Sequence, residues 1–180
     1  MLKTVAALSL LAALSAVTPL QAQEPVSTTA TFGSWTVRCN AVANKEDPKA
    51  VPAKLCEMVQ SIRIRKTGQV LMEIALGRLN ETDPISMVFK VPATVWLRSA
   101  VPVSLGNKAK DKADFEASYF RCHPQYCLAD NKLTNDQQEN LLKAKSITVG
   151  FTDATQKTAH IPVSLEGFAP AFNSIFADKK

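Results

Sequence analysis

The chain has 180 residues, 46% of them hydrophobic, with four cysteines, two histidines and a formal net charge of +5. That length suits one domain behind a leader, and the apolar fraction suits one buried core. So mild a basic excess does not call for a nucleic-acid partner.

The opening stretch, MLKTVAALSLLAALSAVTPLQAQ, has the layout of a secretory signal peptide. Lys3 supplies the positive start, Val5 to Val17 the apolar run, and Leu20-Gln21-Ala22 a cleavage site behind the helix-breaking Pro19. The apolar run falls short of the roughly 20 residues that span a bilayer. Cleavage after Ala22 removes residues 1–22 and leaves a single domain over 23–180, which is 180 − 22 = 158 residues. No cysteine follows the cut to carry a lipid anchor, and no second apolar span follows in the sequence. The mature chain is therefore expected to be soluble, without a transmembrane segment, and periplasmic or secreted.

Export gives Cys39, Cys56, Cys122 and Cys127 a default meaning, because an even count in an oxidising compartment reads as two disulfides. Three connectivities are open. Local closure favours Cys39–Cys56 and Cys122–Cys127, loops whose closure is worth about 3 and about 2 kcal/mol.

Along the chain, Trp35, Val37 and Cys39 alternate with polar neighbours, which predicts a strand. Asn40 to Lys54 is polar, carries Pro48 and Pro52, and reads as a surface loop pinned at its base by Cys39–Cys56. Cys56 to Arg65 alternates for ten residues, with Cys56, Met58, Gln60, Ile62 and Ile64 inward and Glu57, Ser61, Arg63 and Arg65 outward. Gly68-Gln69 closes a hairpin into a strand over Val70 to Leu79, and Ile85, Met87, Phe89 and Val91 line another. Further strands are expected at Val95 to Leu97, Val101 to Leu105, Phe115 to Cys122, Cys127 to Asn131, Ile147 to Phe151 and Thr158 to Leu165. Gly106 to Asp114, charged and rich in small residues, suits a mobile connection. This spacing of short strands points to a sandwich or a barrel.

Two helices are expected. Thr134-Asn135-Asp136-Gln137 has the capping-box form. Pro170 to Ala177 is the second, with Phe168, Phe172, Ile175 and Phe176 on one apolar face. That face either docks on the core or forms an aromatic foot for a partner or membrane. Docking is favoured, because soluble monomers rarely expose such patches.

Chemistry is sparse. The stretch Cys122-His123-Pro124-Gln125-Tyr126-Cys127 reads as a stapled turn. A redox pair usually has two residues between its cysteines at a helix start, and a zinc site usually needs four ligands in close pairs. His160 falls on the polar side of its strand, and neither histidine sits beside a nucleophile signature. Glu81, Asp83 and Pro84 read as turn chemistry, and no glycine-rich phosphate loop is present. Gln60 is expected as an inward amide tying its strand to neighbouring backbone, with a ligand contact as the alternative. Arg63, Arg65 and Lys66, with Arg78, Lys90 and Arg98, are candidates for a basic patch meeting anionic lipid, lipopolysaccharide or polysaccharide. The bland alternative is that outward strand faces carry charge routinely.

Four segments in order carry a family resemblance. They are Phe32-Gly33-Ser34-Trp35-Thr36-Val37-Arg38-Cys39, Cys56-Glu57-Met58-Val59-Gln60, Arg121 to Ala129 with its two cysteines, and Pro162-Val163-Ser164-Leu165-Glu166-Gly167-Phe168. Together they resemble the invasion-associated locus B family of exported alphaproteobacterial proteins, from Phe32 to about Ile175. The sequence departs from the family pattern at Val91 to Arg98, where Trp96 and Arg98 mark a local surface difference. The resemblance implies an all-β, immunoglobulin-like antiparallel β-sandwich with one short internal helix, a short C-terminal helix and two disulfides, paired as above. It implies envelope association and, in some pathogens, a role in entering host cells such as erythrocytes. It supplies no catalytic residue, cofactor or metal.

The function expected is therefore a non-enzymatic, exported binding module for an envelope or host-surface component, peripheral to the membrane, with Arg63, Arg65, Trp96 and Arg98 as its partner surface. The alternatives are a periplasmic structural or quality-control factor with no host role, and a thiol oxidoreductase using Cys122 and Cys127.

Overall fold

The computed structural model describes residues 27–43, 52–80 and 82–177. Ten strands follow one another: β1 (Ser27–Phe32), β2 (Trp35–Val42), β3 (Ala53–Arg63), β4 (Val70–Gly77), β5 (Ser86–Pro92), β6 (Val101–Leu105), β7 (Phe115–Cys122), β8 (Tyr126–Lys132), β9 (Ser146–Thr152) and β10 (Thr158–Ser164). Helix α1 (Asn135–Lys143) lies between β8 and β9, and α2 (Phe168–Phe176) follows β10. Every pairing is antiparallel, in the spatial order β1-β2-β3-β4-β5-β8-β7-β6-β9-β10.

This single ladder curls into both layers of a sandwich, and β7 is where it turns. The start of β7 pairs with β6, its end pairs with β8, and the register slips between Tyr119 and Arg121. A bulge of this kind bends and twists its strand. Between the layers, Trp35, Met58, Ile74, Leu76, Met87 and Phe89 from one side pack in the same cluster as Val101, Val103, Ala117, Ile147 and Val149 from the other. The alternation of β3 places Met58, Gln60 and Ile62 opposite Leu76, Ile74 and Met72 of β4. Ile64 lies past the strand end and is exposed.

Three elements differ from the sequence reading. β1, STTATF, is an edge strand exposed almost throughout, so it has no apolar alternation to reveal it. The strand expected at Val95 to Leu97 is a loop in which Val95 makes one isolated bridge to Asp153. Helix α2 begins at Phe168 rather than Pro170, because Gly167 is its N-cap and proline is tolerated within the first turn. The expected loop from Asn40 to Lys54 is shortened by β2, which runs to Val42, and by β3, which starts at Ala53; residues 44–51 lie outside the described residues. So does the leader expected over residues 1–22. Among the described residues no helix is long and apolar enough to cross a membrane.

The aromatic face of α2 is docked. Phe168 meets Trp35 edge-on at 5.1 Å and stacks on Phe172 at 5.8 Å, and the helix packs on β1, β2 and β3. Gly167 seats it, at φ +81°, where an added Cβ would run into the Phe32 carbonyl and the Gly33 backbone. Only glycine fits so close an approach in the left-handed region. Helix α1 carries the expected capping box: Gln137 N donates to Thr134 Oγ1 at 3.2 Å, and Thr134 N donates to Gln137 Oε1 at 2.9 Å.

Candidate functional site

Both sulfur pairs are staples between registered neighbours. Cys39 of β2 pairs directly with Cys56 of β3, and Cys122 of β7 with Cys127 of β8, each at a Cα–Cα distance of 4.0 Å. The second pair closes a hairpin in which His123 N donates to Tyr126 O at 2.7 Å. It therefore sits at a strand-to-strand turn, away from any helix start that would stabilise a thiolate. The His123 ring leans on Tyr126 at 4.7 Å, with Lys90 Nζ 4.6 Å from the same ring. Among the described residues no three His, Cys, Asp or Glu side chains converge to hold a metal. Asp83 accepts from the backbone and side chain of Asn80, which is turn chemistry; Glu81 is outside the described residues. His160 is exposed beside Gly150.

The antiparallel register gathers the candidate partner surface at one end of the sandwich. β3 ends at Arg63 and β4 begins opposite it at Val70, joined by a turn in which Gly68 N donates to Ile64 O at 2.8 Å. Glu73 of β4 faces Lys90 of β5, and Pro92 of β5 faces Tyr126 of β8. So the β3–β4 turn, the end of β5 and the β7–β8 turn share an end. The connection after β5 joins the β9–β10 turn there, with Trp96 N donating to Thr152 O and Ala154 N to Thr94 O, both at 2.8 Å. Arg63, Arg65, Lys66, Trp96, Arg98 and Arg121 all lie at this end and all are exposed. Arg63 braces its own turn by donating to Gly68 O at 2.9 Å. Arg78, also a candidate, does not belong: it follows β4 at the opposite end and lies 5.7 Å over the Phe176 ring.

Two hollows lie elsewhere. A groove of about 670 Å³ runs over the outer face of β3, β4, β5 and β8, floored by Ala75, Gly77 and Val88 and walled by Leu55 and Phe120. Phe120 stands at the register slip of β7 and is exposed, so the bulge carries an aromatic side chain to this wall. Nothing in the sequence signals this groove, because its residues come from six separate strands and the loops beside them. A smaller hollow of about 270 Å³ lies over β6, β9 and β10 beside Ser104, Thr148, Glu116 and His160. The connection Gly106 to Asp114 covers this side and is tied down. Asp114 accepts from Leu105 N at 2.7 Å and from Lys110 Nζ, and Lys110 N donates to Ser104 Oγ. Partial burial raises the Asp114 carboxyl, but these donors outweigh it and leave its pKa lowered.

The inner faces carry orphaned polar atoms. Gln60 Oε1, Trp35 Nε1, Tyr119 OH and Asn131 Oδ1 are buried without a hydrogen-bond partner. The amide of Gln60 thus has its expected place but not the oxygen contact expected to tie it to neighbouring backbone. Burial pushes the Tyr119 hydroxyl up to about 12.

The sequence pattern of the family described as invasion associated locus B (IalB) protein matches residues 35–175. The crystal structure of invasion associated protein B from Bartonella henselae superposes with a TM-score of 0.65 at 21% identity, over 83% of this chain and 95% of that one. A likeness at that identity shows the shared fold alone, a curled antiparallel sheet with two short helices that is consistent with an immunoglobulin-like sandwich. No curated protein matches the chain.

Proposed function

The chain belongs to the invasion associated locus B family, and from that premise we propose that it is a non-enzymatic binding protein of the bacterial envelope. Its leader exports it to the periplasm or beyond, and its loop-bearing end meets an envelope or host-surface component during host-cell invasion. The observation that carries this reading is the clustering of Arg63, Arg65, Trp96 and Arg98 at one end of a disulfide-stapled sandwich. Two disulfides support residence in an oxidising compartment, since thiols in the cytosol are kept reduced. Exposed basic and aromatic side chains on loops of a rigid scaffold support recognition by surface rather than by a reactive centre.

The experiment is saturation binding of the purified, disulfide-intact protein to isolated bacterial envelopes and to host-cell membranes. Saturable binding to at least one is expected, weakened when Arg63, Arg65 and Arg98 are replaced together by serine. Absence of saturable binding to both removes the reading. A deletion strain that becomes detergent-sensitive yet invades normally would confine the role to the envelope.

A further inference from the structure

The two features of the loop-bearing end are charge and apolar exposure, and they interleave. The segments 63–69, 93–100 and 121–125 contain Arg63, Arg65, Lys66, Arg98 and Arg121 and no carboxylate. The fourth connection, 153–157, adds Lys157 and Asp153, the latter spent on accepting from Thr155 and Lys157. The nearest acid on the flanking strands, Glu73, accepts from Ser61 Oγ and faces Lys90. Among the described residues none of the five cations takes part in an ion pair. Between them stand Ile64, Val70, Trp96 and Leu97, all exposed, with Leu97 at 57%. The chain order Arg63-Ile64-Arg65-Lys66 and Trp96-Leu97-Arg98 puts cation and apolar group side by side in both loops.

We propose that this end docks on the surface of an anionic phospholipid bilayer, with Trp96, Leu97, Ile64 and Val70 entering the headgroup layer and the five cations meeting phosphates. The inference rests on the reading of the protein as an envelope binder and names the chemistry of its partner. A sulfated or phosphorylated polysaccharide would satisfy the cations but leave the aliphatic groups in water. An anionic bilayer supplies both halves, since its phosphates lie directly above the acyl boundary. Tryptophan is suited to that boundary, with an apolar body and one donor. Stable attachment to a membrane surface takes two signals together, here apolar insertion and basic charge. Each basic residue near an anionic leaflet adds roughly fivefold in affinity.

The chain reports on its own docking. It has two tryptophans, and Trp35 is fully buried while Trp96 is 37% exposed. A change of tryptophan emission on binding therefore reads Trp96. The test is co-sedimentation and fluorescence with vesicles of phosphatidylcholine alone and of phosphatidylcholine with phosphatidylglycerol, at low and high salt. Binding is expected only with phosphatidylglycerol, falling steeply with salt. Trp96 emission should shift to the blue and be quenched by lipids brominated on the acyl chains. Arg63→Ser, Arg65→Ser and Arg98→Ser together should weaken binding on the order of a hundredfold, and Trp96→Ser with Leu97→Ser should remove the salt-resistant remainder. All five residues are exposed, and the wild-type quenching decides the matter even if a variant folds poorly. Absence of phosphatidylglycerol-dependent binding overturns the proposal, as does binding without quenching. Saturable attachment to envelopes that protease treatment of the envelopes abolishes, with none to vesicles, overturns it while leaving the envelope-binding reading in place. Failure in envelopes, host membranes and vesicles alike removes both.

Discussion

Gln60 stands opposite Ile74 on the inner face of β3, and its Oε1 has no hydrogen-bond partner. A buried acceptor left in that state costs on the order of 1–3 kcal/mol. Gln60→Leu keeps a similar volume and removes the orphan, so it should raise the urea midpoint with an unchanged slope. A lowered midpoint would mean that the amide does bind something in the core. The alternation of β3 made the inward position of Gln60 legible. It did not make the missing partner legible, because that depends on Ile74 across the register rather than on any neighbour in sequence. Tyr119 offers a second test. Burial raises its pKa from the ordinary 10 to about 12, so the folded chain favours the neutral phenol. Its contribution is present below the unfolded value and lost as pH rises from there through the folded value. Alkaline unfolding should therefore steepen above the ordinary tyrosine range, and Tyr119→Phe should blunt that loss. A titration indistinguishable between the two proteins would contradict the burial of this hydroxyl. At the acid end the sign reverses. Asp153, held low first by the Thr155 hydroxyl and then by the Lys157 amide, loses its advantage as pH falls through its folded value.

Among the elements, the hairpins were the most readable and the edges the least. Period-two patterning on β3 and apolar runs on β4 and β5 reflect one buried face each, which is a property of the sequence itself. β1 is exposed along most of its length, so nothing apolar marks it, and backbone pairing to β2 alone makes it a strand. The stretch Val95 to Leu97 looks like a strand but buries only Val95, because it crosses between layers and leaves Trp96 and Leu97 outside. The sulfur pairs were legible by local closure, and each joins directly opposed residues of adjacent strands. Closing the longer loop removes more freedom from the unfolded chain. Cys39→Ala with Cys56→Ala should cost about 3 kcal/mol, and Cys122→Ala with Cys127→Ala about 2. Urea unfolding of the two double variants checks the order. A larger loss at the Cys122–Cys127 turn would show that chain entropy does not govern these staples.

At the scale of the molecule, the sandwich is asymmetric. One side is closed by α2, whose phenylalanines are buried against β1, β2 and β3. One end carries four connections with exposed cations and apolar groups. That convergence was only partly legible in the sequence, since Arg63 and Trp96 lie on loops separated by β4 and β5. The antiparallel register brings those loops together, and the same register sends Arg78 to the opposite end. The outer groove beside Phe120 is the rival surface, well formed and partly apolar. Hydroxyl-radical footprinting of the native protein, free and bound to isolated envelopes, separates the two most directly. Protection concentrated on Ile64, Trp96, Leu97 and the flanking arginines is the result predicted. Protection centred on Leu55, Leu79 and Phe120, with the loop-bearing end still reactive, would contradict it.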